Sequence, residues 1–168
     1  MKRRGLLIGA LFALAACATT PATAPPPGEF SSDRISVVVQ GGSGPDVILI
    51  PGLSSSRDVW NTTADALDDH YRVHLVQLNG FAGAPVGANG DGPVSAPVAE
   101  EIARYIGENH LDHPAVIGHS MGGSIGMMVA EVLGVPVSRV RTVVADTASI
   151  GFTFLTGGSR VTFATGMA

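Results

Sequence analysis

From about residue 34 onward the chain alternates short, almost purely apolar runs with longer stretches whose apolar residues recur at helical spacing. Ile35–Val39 is β-branched and closes in the turn cluster Gly41-Gly42-Ser43-Gly44-Pro45, after which Val47-Ile48-Leu49-Ile50 runs straight into Pro51-Gly52. Val73–Leu78, Ala115-Val116-Ile117 and Thr142-Val143-Val144-Ala145 have the same character, so the pattern predicts about five strands. Strands this apolar lack the alternation of a half-wet sheet, which implies cover on both faces. Between them, Ser55 and Asp58 have capping-box spacing ahead of a helix carrying Trp60, Ala64 and Leu67. Pro97 opens a second helix, with Val98, Ile102 and Tyr105 or Ile106 on one face and Glu100 spaced to pair with Arg104. A third runs from Met121, turns Ile125, Met128, Val129 and Val132 inward, and ends near Gly134 ahead of Pro136. Met127 and Met128 read there as core filler. Strand and helix in alternation predict an α/β fold with a largely parallel sheet and flanking helices.

The N-terminal residues break this pattern. Lys2-Arg3-Arg4, the apolar run Leu6–Leu14 and Ala15-Ala16-Cys17 have the build of a secretory signal, too short to span a bilayer. Leu14-Ala15-Ala16-Cys17 resembles the bacterial lipobox. That resemblance implies a signal peptide over residues 1–16 and a diacylated Cys17 as the first residue of a mature lipoprotein. Such a protein is anchored to a membrane, on its periplasmic side or at the cell surface. An ordinary signal peptide with an incidental cysteine is the other reading, whereas Arg3-Arg4 lacks the surroundings of a twin-arginine signal. Residues 17–30 are rich in Pro, Ala and Thr and read as a tether; extended at about 3.1 Å per residue, they would hold a folded domain roughly 30 Å from a membrane.

Composition narrows the function classes. The 168 residues allow one domain or part of one, and 45% hydrophobic against 14% charged residues excludes a disordered chain. Mean hydropathy is +0.32. A formal charge of −4 has the wrong sign for a nucleic-acid binder, and a single Cys excludes an internal disulfide framework or a Cys-based zinc site. No metal or organic cofactor is implied.

Chemistry concentrates at Gly118-His119-Ser120-Met121-Gly122, a G-x-S-x-G set directly after one predicted strand and directly before a predicted helix. Glycine flanks a tight, strained turn because a side chain there would strike neighbouring backbone. The serine hydroxyl then projects beyond the sheet at a helix N-terminus, where the dipole favours negative charge. About seventy residues earlier, Val47–Leu53 is a buried strand entering a Pro-Gly turn that can leave a backbone N–H to serve a site.

With these elements the sequence resembles the α/β-hydrolase superfamily over roughly residues 34–147, and Gly118-His119-Ser120-Met121-Gly122-Gly123 is similar to its lipase, esterase and thioesterase branch. The resemblance implies Ser120 as nucleophile, the backbone amides of Leu53 and Met121 as the oxyanion hole, and a small-molecule acyl substrate. It implies a structural, Gly-rich turn at Asn79-Gly80-Phe81-Ala82-Gly83. Pro51-Gly52 departs from the family's frequent His-Gly.

In that family an acid and then a histidine follow the serine, yet no His follows His119 here. His110 and His113 enter the preceding strand from its far end, roughly 17 Å away at about 3.3 Å per residue. His70 and His74 also lie at the opposite end, and His119 should point away from the neighbouring hydroxyl. A structural role is therefore expected for each of the five. Asp146 has the right sheet edge for an acid. Residues 31–147 thus read as the N-terminal portion of a hydrolase domain, and 148–168 as a tail or the start of a cap region, part of it a β-hairpin. The chain is expected to stop short of the complete family fold. Two functions follow: a lipid-anchored serine hydrolase whose base lies in sequence not present here, or a non-catalytic lipid-anchored binding protein on the same fold.

Overall fold

The computed structural model describes residues 30–143. The signal segment, Cys17, the tether up to residue 29, Asp146 and the 148–168 tail lie outside them. Among the described residues four strands form one sheet: β1 (Ile35–Gly41), β2 (Asp46–Ile50), β3 (Arg72–Leu78) and β4 (Ala115–Gly118), in the order β1-β3-β2-β4. β3, β2 and β4 are parallel, with His74 beside Ile48 and Ile48 beside Val116, while β1 runs antiparallel along β3. The sheet is mixed and mostly parallel, as the pattern predicts. Of the fifth expected strand, Thr142 and Val143 belong to no strand, and Val144 and Ala145 lie outside the described residues.

Among the described residues three helices flank the sheet: α1 (Asn61–Leu67), α2 (Ser95–Glu108) and α3 (Met121–Val132). Alternate residues of each strand go to opposite faces. Ile48, Ile50, Val76 and Leu78 join Val98, Ile102, Ile125 and Val129 in one core cluster, while Val47, Leu49, Val73 and Leu75 pack with Ala64, Trp60 and Leu67 in a second. Cover on both faces explains why β2 is apolar throughout Val47–Ile50 and why β3 carries buried apolar residues on both its faces.

Several local expectations are corrected. Ser56, not Ser55, caps the first helical segment: its hydroxyl accepts from the Asp58 amide and opens a single 3₁₀ turn, Arg57–Trp60, before α1. Ser55 is already committed, because its amide closes a turn onto the Gly52 carbonyl at 3.2 Å. α2 begins at Ser95, and Pro97 sits within its first turn, where a missing N–H costs nothing. Arg104 pairs with Glu101 and Glu108 rather than Glu100. The reason is its guanidinium, which lies 4.5 Å over the Phe30 ring and donates to the Ser31 carbonyl, on the Glu101 side of the helix. Val132 is exposed rather than inward. The twelve-residue α3 is about 18 Å long against about 13 Å for the four-residue β4, so its last turn outruns the strand.

At the end of the sheet where the parallel strands begin, a buried polar group interrupts the core. Arg72 grips the Asp46 carboxylate through two nitrogens, at 2.5 and 3.0 Å. His74 Nε2 lies 2.9 Å from the same carboxylate, and its Nδ1 lies 2.7 Å from the Tyr105 hydroxyl. A carboxylate only accepts, so Nε2 carries the proton and Nδ1 accepts from Tyr105. Burial pushes the Tyr105 hydroxyl up to about 12, which keeps it a donor. Burial, against the pull of Asp46, holds His74 below its ordinary 6.5. Arg72 above all holds Asp46 below 3.8, opposed by burial and helped by His74.

The sign of the pH dependence follows. Between the lowered His74 value and 6.5 the unfolded chain takes up a proton that the native chain refuses, so stability falls as pH drops through that window. The Asp46 contribution is intact above 3.8 and is lost as pH falls through its lowered value. Denaturant midpoints measured at pH 7.5, 6 and 5 are expected to decline in that order. A flat series would remove His74 as a buried neutral group.

Candidate active site

Ser120 joins β4 to α3 with φ 57° and ψ −124°. A serine held at positive φ costs about 1–3 kcal/mol and persists only where its surroundings over-determine it. Here they do. The His119 amide donates to the Ile50 carbonyl at 3.2 Å, the Gly122 amide to the His119 carbonyl at 3.0 Å, and the Gly123 amide to the Ser120 carbonyl at 2.9 Å. Glycine is required on both sides. A Cβ on Gly118 would stand 2.0 Å from the Gly122 carbonyl oxygen, and one on Gly122 would stand 2.3 Å from that of Ile50. The end of β2 and the start of α3 therefore meet backbone to backbone.

Ser120 occupies the N-cap of α3, yet its side chain makes no cap bond, which leaves a half-buried hydroxyl uncommitted at a helix start. Among the described residues no side chain bonds to it. Next to it lies the turn after β2. A Cβ on Gly52 would be 3.2 Å from Ser120 Cβ and 3.3 Å from His119 Nδ1, so this turn and the elbow are in contact. The turn closes through the Ser55 amide and the Gly52 carbonyl, with Ser54 also at positive φ. Leu53, at its tip, is 61% exposed. Neither the Leu53 nor the Met121 amide has an acceptor among the described residues. The result is an uncommitted hydroxyl at a strained turn, with one unbonded N–H on the next residue and another in the turn after β2.

The histidines do not gather there. His74 is buried in the Asp46–Tyr105 group at the other end of the sheet, and His70 precedes β3 at that end. His113 is exposed, 2.5 Å from Asp112, ahead of β4, and His110 lies just past the end of α2. His119 is exposed, with Nδ1 toward Gly52. Among the described residues there is no cluster of His, Cys, Asp or Glu able to hold a metal ion.

Two polar residues within β3 prove structurally busy: His74, which has the structural role expected of it, and Gln77, which the strand pattern passes over. Their signal was their polarity itself, since a polar side chain inside a doubly covered strand must find partners. Gln77 Oε1 accepts from the Arg57 amide at 2.9 Å, and its Nε2 donates to the Leu78 and Phe81 carbonyls at 3.1 and 3.2 Å.

Comparison with known proteins bears on the fold. Residues 45–160 match the family model described as alpha/beta hydrolase fold. Over 91 residues the chain is 38% identical to a pimeloyl-(acyl-carrier protein) methyl ester esterase of Aeromonas hydrophila subsp. hydrophila, a stretch covering 53% of this chain and 33% of that protein. The enzyme of the same name from Vibrio cholerae is 34% identical over 89 residues, covering 53% and 32%. Among solved structures, a marine microorganism esterase superposes with a TM-score of 0.54 at 28% identity, over 61% of this chain and 38% of its own. The chain spans about a third of the length of the curated relatives it matches.

Proposed function

The chain belongs to the α/β-hydrolase fold family, and from that premise we propose that it is a serine hydrolase of ester, thioester or similar acyl bonds, with Ser120 as nucleophile. Its relatives include esterases, which supports hydrolysis in general. The observation that carries the reading is the positive φ of Ser120, locked between Gly118 and Gly122 with the hydroxyl uncapped.

In this reading Ser120 Oγ attacks the acyl carbon and loses its proton to a base. The Leu53 and Met121 amides donate to the oxygen that becomes negative, the alcohol or thiol leaves with the proton, and water then releases the acyl group from Ser120. The base is a group other than the five histidines, four of which lie away from the elbow while His119 turns toward Gly52. Cys17 carries the lipid that holds the domain on the periplasmic side of a membrane or at the cell surface.

A fluorophosphonate probe tests the central assignment on the full-length product. Covalent labelling mapped to Ser120 by peptide mass spectrometry, and absent from Ser120→Ala, is the expected result. A protein folded by circular dichroism that ignores the probe would reject it. Among the described residues no histidine bonds to Ser120, which favours a second reading, a non-catalytic lipid-anchored binding protein on the same fold. Ester turnover abolished by Ser120→Ala would reject that one.

A further inference from the structure

We propose that Gln77 is a positioning residue that couples the two loops flanking the Ser120 edge of the sheet, so that the turn bearing Leu53 and the turn bearing Phe81 hold one fixed spacing. The coupling matters for catalysis only if the hydrolase reading holds; the bridge itself stands on contacts alone.

β2, β3 and β4 are parallel, so the loops that follow them emerge at one edge. Gln77 sits one residue from the end of β3 and is buried. Its amide reaches both ways. The oxygen accepts the Arg57 N–H, the first residue of the 3₁₀ turn that ends the Leu53 loop, and the nitrogen donates to the Phe81 carbonyl in the loop after β3. The Arg57 guanidinium reinforces the first link, donating to the Leu75 carbonyl at 3.3 Å and to the Ser36 hydroxyl. The far end of the same loop lies next to the elbow, since a Cβ added to Gly52 would come within 3.2 Å of Ser120 Cβ. A continuous run of contacts therefore leads from Phe81 through Gln77, Arg57 and the Gly52 turn to Ser120. A primary amide is the side chain that can accept on one arm and donate twice on the other.

Amide hydrogen exchange, read residue by residue on the full chain, tests this without any need for turnover. Gln77→Met keeps the side-chain length and removes both links. Exchange at Arg57 and at Ala84, whose amide bonds to the Phe81 carbonyl, is expected to rise tenfold or more, with Ile48 and Leu49 in β2 unchanged. Gln77→Glu keeps the acceptor and loses the donor, so Arg57 should stay protected while Ala84 opens. That split would not arise from a general loss of stability. Wild-type exchange at Arg57 in folded Gln77→Met, or an equal rise at Arg57, Ala84 and β2, would overturn the proposal. If Gln77→Met does not fold, Gln77→Glu decides alone: loss of protection at Arg57 together with Ala84 overturns it. Failure of Ser120 to label would reject the hydrolase reading and leave these outcomes untouched.

Discussion

Gly122→Ala is expected to lower folding stability by about 3 kcal/mol, the upper end of what overpacking costs. The alanine Cβ would meet three backbone atoms at once: the Ile50 oxygen at 2.3 Å, the Pro51 oxygen at 2.5 Å and the Ile50 carbonyl carbon at 2.8 Å. None is the end of a side chain that can swing aside. Ile50 is the last residue of a fully buried central strand, so relief must come from α3 lifting off the sheet. Ser120 would be carried with α3, away from the Gly52 turn it touches. Urea denaturation measures the loss, and a change within 0.5 kcal/mol of the parent protein would contradict the backbone-to-backbone contact. Gly126→Ala is the control. It lies in the same helix, where a Cβ meets only the Val116 side chain at 3.6 Å, and helix propensity favours alanine over glycine.

Asp46→Ala is expected to cost about 3 kcal/mol. Removing one partner of a buried pair costs 3–5 kcal/mol, but the Arg72 side chain is 43% exposed and recovers hydration, which places the effect at the lower end. Most of the loss arises at His74. Its Nε2–H, on a side chain only 3% exposed, is left without an acceptor, a penalty of about 1–3 kcal/mol. Arg72→Met should cost a comparable amount, about 3 kcal/mol, since it leaves the Asp46 carboxylate, 7% exposed, with only a neutral His74 as partner. If Arg72→Met proves the more damaging of the two, the weight of the cluster rests on the arginine pair and not on His74. Asp46→Ala should also strengthen the acid sensitivity below pH 6.5, because Asp46 raises His74 against the burial that lowers it, and without Asp46 the native chain resists protonation of His74 further.

The cores of the four strands and the three helices were legible along the chain because each is dictated locally. Apolar residues on successive positions of β2 and β3 announce two covered faces, and the glycines around Ser120 announce a turn no larger residue tolerates. These signals lie within a few residues of one another, where backbone sterics and periodicity act. The remaining features depend on residues brought together from far along the chain. Arg57 and Gln77 are 20 residues apart, Asp46 and His74 28, His74 and Tyr105 31. Nothing in the local pattern of His74 or Gln77 names those partners. The same holds for β1, which follows the pattern of any strand yet pairs antiparallel with β3 instead of its neighbour in sequence. Likewise Ser56 became the cap because Ser55 was drawn into the turn against Ser120, and Arg104 chose Glu101 because Phe30 packs on that side. Periodicity thus sets which segments are strands and helices and where the elbow falls. The choice among near-equivalent partners passes to packing, because hydrogen bonds and ion pairs of similar intrinsic strength are separated only by which groups burial brings within reach.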